Sequence, residues 1–176
     1  MAKSKYGKYI CTELTQDIPL PAYREWERDM IGEGLVDGYR RGMEHVVWTD
    51  TKVVPGAFYS EIVWLWSPSM PNQRPRPKLS EAEIKKMMEK NPQAAQGMPP
   101  HAHPFPELLS FFGLDLNHPE ELNGVVEFWM EDEKYVFDKS FVVYIPPNVT
   151  HCPLRVQHKT NKGFFHYTIG PGEMYI

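Results

Sequence analysis

Cysteine is scarce in this chain: Cys11 and Cys152 are the whole complement, and no Cys-x-x-Cys pair occurs. That excludes a disulfide-dense secreted scaffold and points to a reducing, cytoplasmic setting. Long apolar runs are missing too. No stretch approaches the ~18 residues that span a bilayer. The opening Met1-Ala2-Lys3-Ser4-Lys5-Tyr6 is basic with no apolar stretch behind it, which argues against a secretory signal. Positive charge is in short supply, with 19 Lys and Arg against 23 Asp and Glu, a net charge of −4 and a pI of about 6.0. Phosphate binding needs a basic surplus, and Arg74 and Arg76 are too few to form a stripe, so neither nucleic acid nor membrane is an expected partner. There is no internal repeat and no low-complexity tract.

What remains is an ordinary globular composition over 176 residues, 41% hydrophobic and 24% charged, which fits one domain. Aromatics make up 13% and fall in runs that suit sheet packing. Lys8–Thr12, Val46–Trp48, Gly56–Trp66, Val125–Met130, Tyr135–Phe137, Phe141–Ile145 and Lys162–Ile169 read as strands. The charged stretch Glu131–Lys134 makes a hairpin turn between two of them. Prolines 19, 21, 55 and 68 interrupt the first region, as expected of residues excluded from central strands.

The single domain, 1–176, divides into N-terminal strands (1–70), a proline-rich and helical insertion (71–100) and a second run of strands (101–176). Ser80-Glu81-Ala82-Glu83 forms a capping box, and Ile84, Met87 and Met88 follow at helical spacing. Asn91-Pro92 stops the helix. The expected fold class is therefore all-β, a sandwich or barrel with one short helix inserted around 80–91.

The segment that carries chemistry is His101-Ala102-His103-Pro104-Phe105-Pro106-Glu107. Residues two apart on a strand share a face, so His101 and His103 can aim at one point, and Glu107 keeps the same parity. Two nitrogens and a carboxylate suit a divalent transition metal. A fourth ligand has to come from a neighbouring strand. Ile145-Pro146-Pro147-Asn148-Val149-Thr150-His151 offers it: the prolines stop one strand, Asn148 can take the left-handed turn, and His151 opens the next.

These residues resemble the two motifs of the cupin superfamily. The first runs G-x5-H-x-H-x3,4-E-x6-G, and His101-x-His103-x3-Glu107-x5-Gly113 is very similar. The second runs G-x5-P-x-G-x2-H-x3-N, and Pro146 to His151 resembles its middle. Gly97 lies two residues too close to His101, and Gly113 comes one residue early. Ser140, Asn148 and Arg155 replace the motif's two glycines and its asparagine. These departures affect turns and leave the ligand-type residues in place. Pro55-Gly56-Ala57-Phe58-Tyr59-Ser60-Glu61 and Gly172-Glu173-Met174-Tyr175 resemble segments of small stand-alone cupins.

The resemblance implies a double-stranded β-helix, or jelly-roll barrel. One divalent metal would be held by His101, His103, Glu107 and His151. Iron is the first choice, with Mn, Ni, Zn and Cu also compatible. It further implies a homodimer. The function it points to is a metal-dependent enzyme on a small organic substrate, of dioxygenase-like oxidoreductase type. The alternatives are a non-catalytic small-molecule binding module and a cupin isomerase or lyase. His166 and Glu127 are candidate acid/base residues. Tyr59, Phe105, Trp129, Arg155 and Phe165 are candidate pocket residues, Arg155 because a cation two residues beyond His151 would suit an anionic substrate. His45, His118 and His158 read as solvated, and Cys152 as a small buried apolar residue on the face opposite His151.

Overall fold

The structure is a computed structural model that describes residues 5–12, 20, 22, 24, 35–36, 39–40, 43–67, 80, 82, 85–86, 89 and 98–171. Its strands are β1 (Leu35–Val36), β2 (Tyr39–Arg40), β3 (Met43–Thr49), β4 (Tyr59–Leu65), β5 (Glu107–Gly113), β6 (Glu121–Met130), β7 (Glu133–Lys139), β8 (Phe141–Ile145), β9 (His151–His158) and β10 (Phe164–Gly170). β1 and β2 pair with each other. The rest form two antiparallel sheets, ordered β3-β4-β10-β5-β8 and β7-β6-β9. Neighbours distant in sequence, such as β4 with β10 and β6 with β9, give the crossed-over order of a jelly roll. The fold class is the all-β jelly roll expected.

Alternation explains why these sequences pair this way. On β6, Leu122, Gly124, Val126 and Phe128 are buried while the intervening residues are half-buried. The inner faces of the two sheets meet in one core, with Leu109, Phe111, Ile145 and Phe164 on one side and Leu122, Val126, Phe128 and Cys152 on the other. Each large side chain removed from water there contributes about 1.5–3 kcal/mol. Gly124 is required by close approach: a Cβ on it would lie 2.1 Å from the Phe164 ring. β6 and β7 join through a tight turn at Glu131-Asp132, with Met130 paired to Glu133 and Glu131 at φ 53°.

One expected strand is absent. Gly7–Tyr9 is a 3-10 turn, and Tyr9 and Ile10 are 56% and 65% exposed. A strand needs a partner edge for its backbone, and none of the described strands pairs with this segment. In the expected helix, Ala82, Lys85, Lys86 and Glu89 are helical and exposed. Its apolar edge of Ile84, Met87 and Met88 lies outside the described residues, as does the Gly172–Tyr175 segment.

The inner wall of the five-stranded sheet is built in rows by its register. Tyr59, Gly170, Glu107 and Ile145 form one row. Trp48, Glu61, Thr168 and Leu109 form the next, and His45, Val63, His166 and Phe111 the third. Much of this wall is polar, which an apolar core alone would not explain.

Candidate metal centre

His101 and His151 are brought together by the backbone. They form an isolated antiparallel bridge, with His101 N–H donating to His151 O at 3.0 Å and His151 N–H to His101 O at 2.9 Å. Paired residues on adjacent strands point the same way, and their ring centroids lie 4.2 Å apart. His103 is reached by a second tie: Asn148 N–H donates to His103 O at 2.8 Å, with Asn148 at φ 62°. Asparagine thus takes the left-handed position that glycine fills in the motif. Between His103 and Glu107 the chain is irregular, because Pro104 and Pro106 have no N–H for a ladder. The strand starts only at Glu107, whose side chain faces inward from β5.

All three histidines are oriented through Nδ1 by a backbone carbonyl. Nδ1–H of His101 donates to Pro99 O at 2.8 Å, that of His103 to Phe105 O at 2.7 Å, and that of His151 to Val149 O at 3.0 Å. A carbonyl only accepts, so each Nδ1 carries a proton; Nε2 of His101 and of His151 is left with a lone pair, while His103 Nε2 is hydrogen-bonded to Glu107 Oε2 through a proton that an ion would displace. One ligand atom from each of the three rings lies within 4.8 Å of the others. Glu107 Oε2 lies 2.9 Å from His103 Nε2 and 3.4 Å from His151 Nε2. His151 Nε2 is buried without a hydrogen-bond partner. The two Glu107 spacings fit a shared cation, since two ligand atoms each about 2.1 Å from one ion stand about 3.0–3.4 Å apart at right-angled to tetrahedral bond angles. A group of three histidines and one glutamate that could hold a metal ion is therefore present.

The environment favours the ligating forms. Burial, reinforced by the neighbouring His151 ring, pulls His101 down to about 4. Burial alone would raise Glu107, but its contacts with His103, His151 and Thr168 prevail and hold it at about 2. His103, Glu107 and His151 are 3%, 3% and 1% exposed, and His101 is the ligand-type residue that meets solvent. The Phe105 ring stacks on His103 at 4.2 Å and 7°, fixing its plane.

A second polar cluster lies along the same inner wall, and the sequence reading missed most of it. Arg24 is 2% exposed; its Nη2 donates to both Glu61 oxygens at 3.1 Å and its Nη1 to Tyr59 Oη at 3.2 Å. His45 Nδ1 is 3.5 Å from Glu61 Oε2. His45 is buried, not solvated, because β3 turns it inward beside Val63. Burial and the Glu61 charge keep the Tyr59 phenol protonated, well above its ordinary range. Glu61 was legible by parity with Tyr59 on β4, and Thr168 by parity with His166 on β10. Nothing in the sequence marked Arg24.

Of the remaining candidates, Tyr59 and Phe105 belong to the interior: Tyr59 packs with Trp48, and Phe105 packs against the cluster they form. His166 does too: its Nδ1–H donates to Ser110 O at 2.9 Å, its ring stacks on Phe111, and burial lowers its pKa. Glu127 does not. It lies on the outward face of β6 and pairs with Lys134 at 2.8 Å. Trp129 shares that outward face, and Arg155, opposite Glu127 in register, is exposed. The register of β9 against β6 shifts between Leu154 and His151, where Cys152 has φ 72°, and this separates the face of Arg155 from that of His151. The same irregularity lets His151 and Cys152 both be buried. Phe165 stands on the outer side of β10 against Trp64 and Phe112. His118 is exposed, whereas His158 is half-buried and stacked on Phe164.

No family model and no curated protein matches the sequence. Among solved structures it is similar to an RmlC-like cupin from Shewanella frigidimarina (12% identity, 78% of this chain and 80% of that one, TM-score 0.35). It is also similar to a cupin-like protein from Thermotoga maritima (15%, 79% and 76%, TM-score 0.39) and to KdgF from a Halomonas species (12%, 78% and 84%, TM-score 0.36). Likenesses this low carry no argument about activity. By its own sheet order the chain is an all-β jelly roll, and both motif segments meet at one point in it, in a three-histidine, one-glutamate group that could hold a metal ion.

Proposed function

We propose that this chain is a metal-dependent enzyme acting on a small organic substrate. The observation that carries this reading is the convergence of three imidazoles and one carboxylate in a buried place, each ring fixed by its own carbonyl. His101, His103, Glu107 and His151 would hold the ion. An ion there supplies Lewis-acid polarisation of a substrate oxygen or, if it is iron, activation of O₂. Imidazole and carboxylate donors suit Mn, Ni, Zn and Cu as well as iron, so isomerase or lyase chemistry stands beside the oxygenase type, which is the form tested first.

The chain's own residues supply the rest. His166 presents a neutral Nε2 on the inner wall, since its Nδ1–H is committed to Ser110 O, and serves as the proton acceptor. Tyr59, kept protonated, can donate a hydrogen bond. Phe105 and Trp48 exclude water from that side. His101, half-buried, lies where substrate would enter.

The test is a chelator-stripped protein reloaded separately with Fe, Mn, Ni and Zn and assayed against a broad metabolite panel, with oxygen uptake recorded. Metal-dependent turnover supports the reading. Ligands that raise the melting temperature but are never chemically changed would replace it with a binding module.

A further inference from the structure

Glu107 has two oxygens, and they have different surroundings. Oε2 faces the Nε2 atoms of His103 and His151 at 2.9 and 3.4 Å. Oε1 instead accepts from Thr168 Oγ1 at 2.5 Å. Thr168 lies on β10 opposite Leu109 and is 2% exposed, so its side chain points inward along the wall that carries Glu107. Leu108 O is also within reach of that hydroxyl, at 3.1 Å. A hydroxyl has one proton, and the nearer, charged acceptor holds it. Threonine's branched Cβ leaves few rotamers on a strand, which fixes where the hydroxyl stands.

We propose that Thr168 is a positioning residue that keeps Glu107 a one-oxygen ligand. The inference rests on the metal-centre reading above. With Oε1 occupied by the hydroxyl, only Oε2 would be presented to an ion. Three imidazoles and one carboxylate oxygen would fill four positions of a six-coordinate ion and would leave two for exogenous molecules. A carboxylate binding through both oxygens would take one of those two. Without the hydroxyl, Oε1 is a buried acceptor that has lost a partner, and a bound ion would offer it a replacement. Thr168 therefore sets how many small molecules the centre can accept.

The full chain, stripped by chelator, is titrated with Co²⁺ and followed by visible absorption, and the Co²⁺ form is then titrated with azide. Wild type, Thr168→Ser, Thr168→Val and Thr168→Ala are compared, with far-UV circular dichroism and melting curves alongside. Wild type and Thr168→Ser are expected to bind one Co²⁺ per chain with the same spectrum and the same azide affinity. Thr168→Val is expected to bind Co²⁺ about 10- to 100-fold more weakly, with shifted ligand-field bands and azide affinity reduced about tenfold or more. Thr168→Ala carries the same expectation and decides the matter if valine does not fold. Valine or alanine variants matching wild type in spectrum and azide affinity overturn the proposal, as does a serine variant that behaves like valine. If neither variant folds, Thr168 is a folding residue and the proposal falls. Wild type that binds no Co²⁺ overturns the metal-centre reading itself, whatever the variants do.

Discussion

Replacing Arg24 with methionine strands a charge inside the protein. The guanidinium and Glu61 are 2% and 4% exposed, and Nη2 lies 3.1 Å from both carboxylate oxygens. Two unit charges about 4 Å apart attract by about 4 kcal/mol at an effective dielectric of 20. Burial would raise the Glu61 carboxyl, but Arg24, then His45, hold it well below the usual carboxylate range. Without Arg24, Glu61 must either take a proton or stay charged with only imidazoles beside it. Removing one partner of a buried pair costs about 3–5 kcal/mol, whereas replacing both by apolar groups is often close to neutral. Arg24→Met should therefore lower the unfolding free energy by about 3–5 kcal/mol. The double variant Arg24→Met/Glu61→Leu should lose less than the single one. Urea unfolding of the metal-free protein at pH 7.5 gives the double-mutant cycle. A loss under about 1 kcal/mol for Arg24→Met, or two single losses that simply add, would refute the reasoning.

A Cβ at Gly170 would lie 2.9 Å from the Phe105 ring, which stacks on His103. Gly170→Ala should therefore displace Phe105, loosen His103 and weaken metal binding about tenfold or more, as read by metal titration. Burial lowers His166 and brings His101 down to about 4. Below the ordinary imidazole value of about 6.5 the unfolded chain binds protons that the folded one refuses, so metal-free stability should fall from there toward about pH 4. Urea midpoints taken across this window check the sign, and a midpoint that rises on acidification contradicts it. Burial also pushes the Cys152 thiol up, while Cys11 is partly exposed. A thiol reagent should label one cysteine in the native protein and two after unfolding; rapid native labelling of both would show that Cys152 is accessible.

Most strand positions were legible because alternation and proline placement are local signals. Phe141–Ile145 and the start of β9 at His151 fall where the sequence puts them. The left-handed Asn148 was legible for the same reason. Lys8–Thr12 has strand-forming residues, but pairing is a non-local property and it found no edge. The misplaced candidates share one cause. Glu127, Trp129, Arg155 and Phe165 each lie on a two-faced strand, and parity groups residues on a face without saying which face is inside. At Arg155 the register shift at Cys152 also broke the count from His151. Arg24 and His45 were missed because buried charge depends on partners far along the chain, here Glu61.

The central claim is that four side chains from separate stretches of chain hold one ion. Elemental analysis of anaerobically purified protein, wild type beside His151→Ala and Glu107→Gln, tests it most directly. The account predicts close to one transition-metal ion per chain in wild type and a small fraction of that in both variants. Wild type with almost no metal after loading, or variants that retain as much metal as wild type, would contradict it.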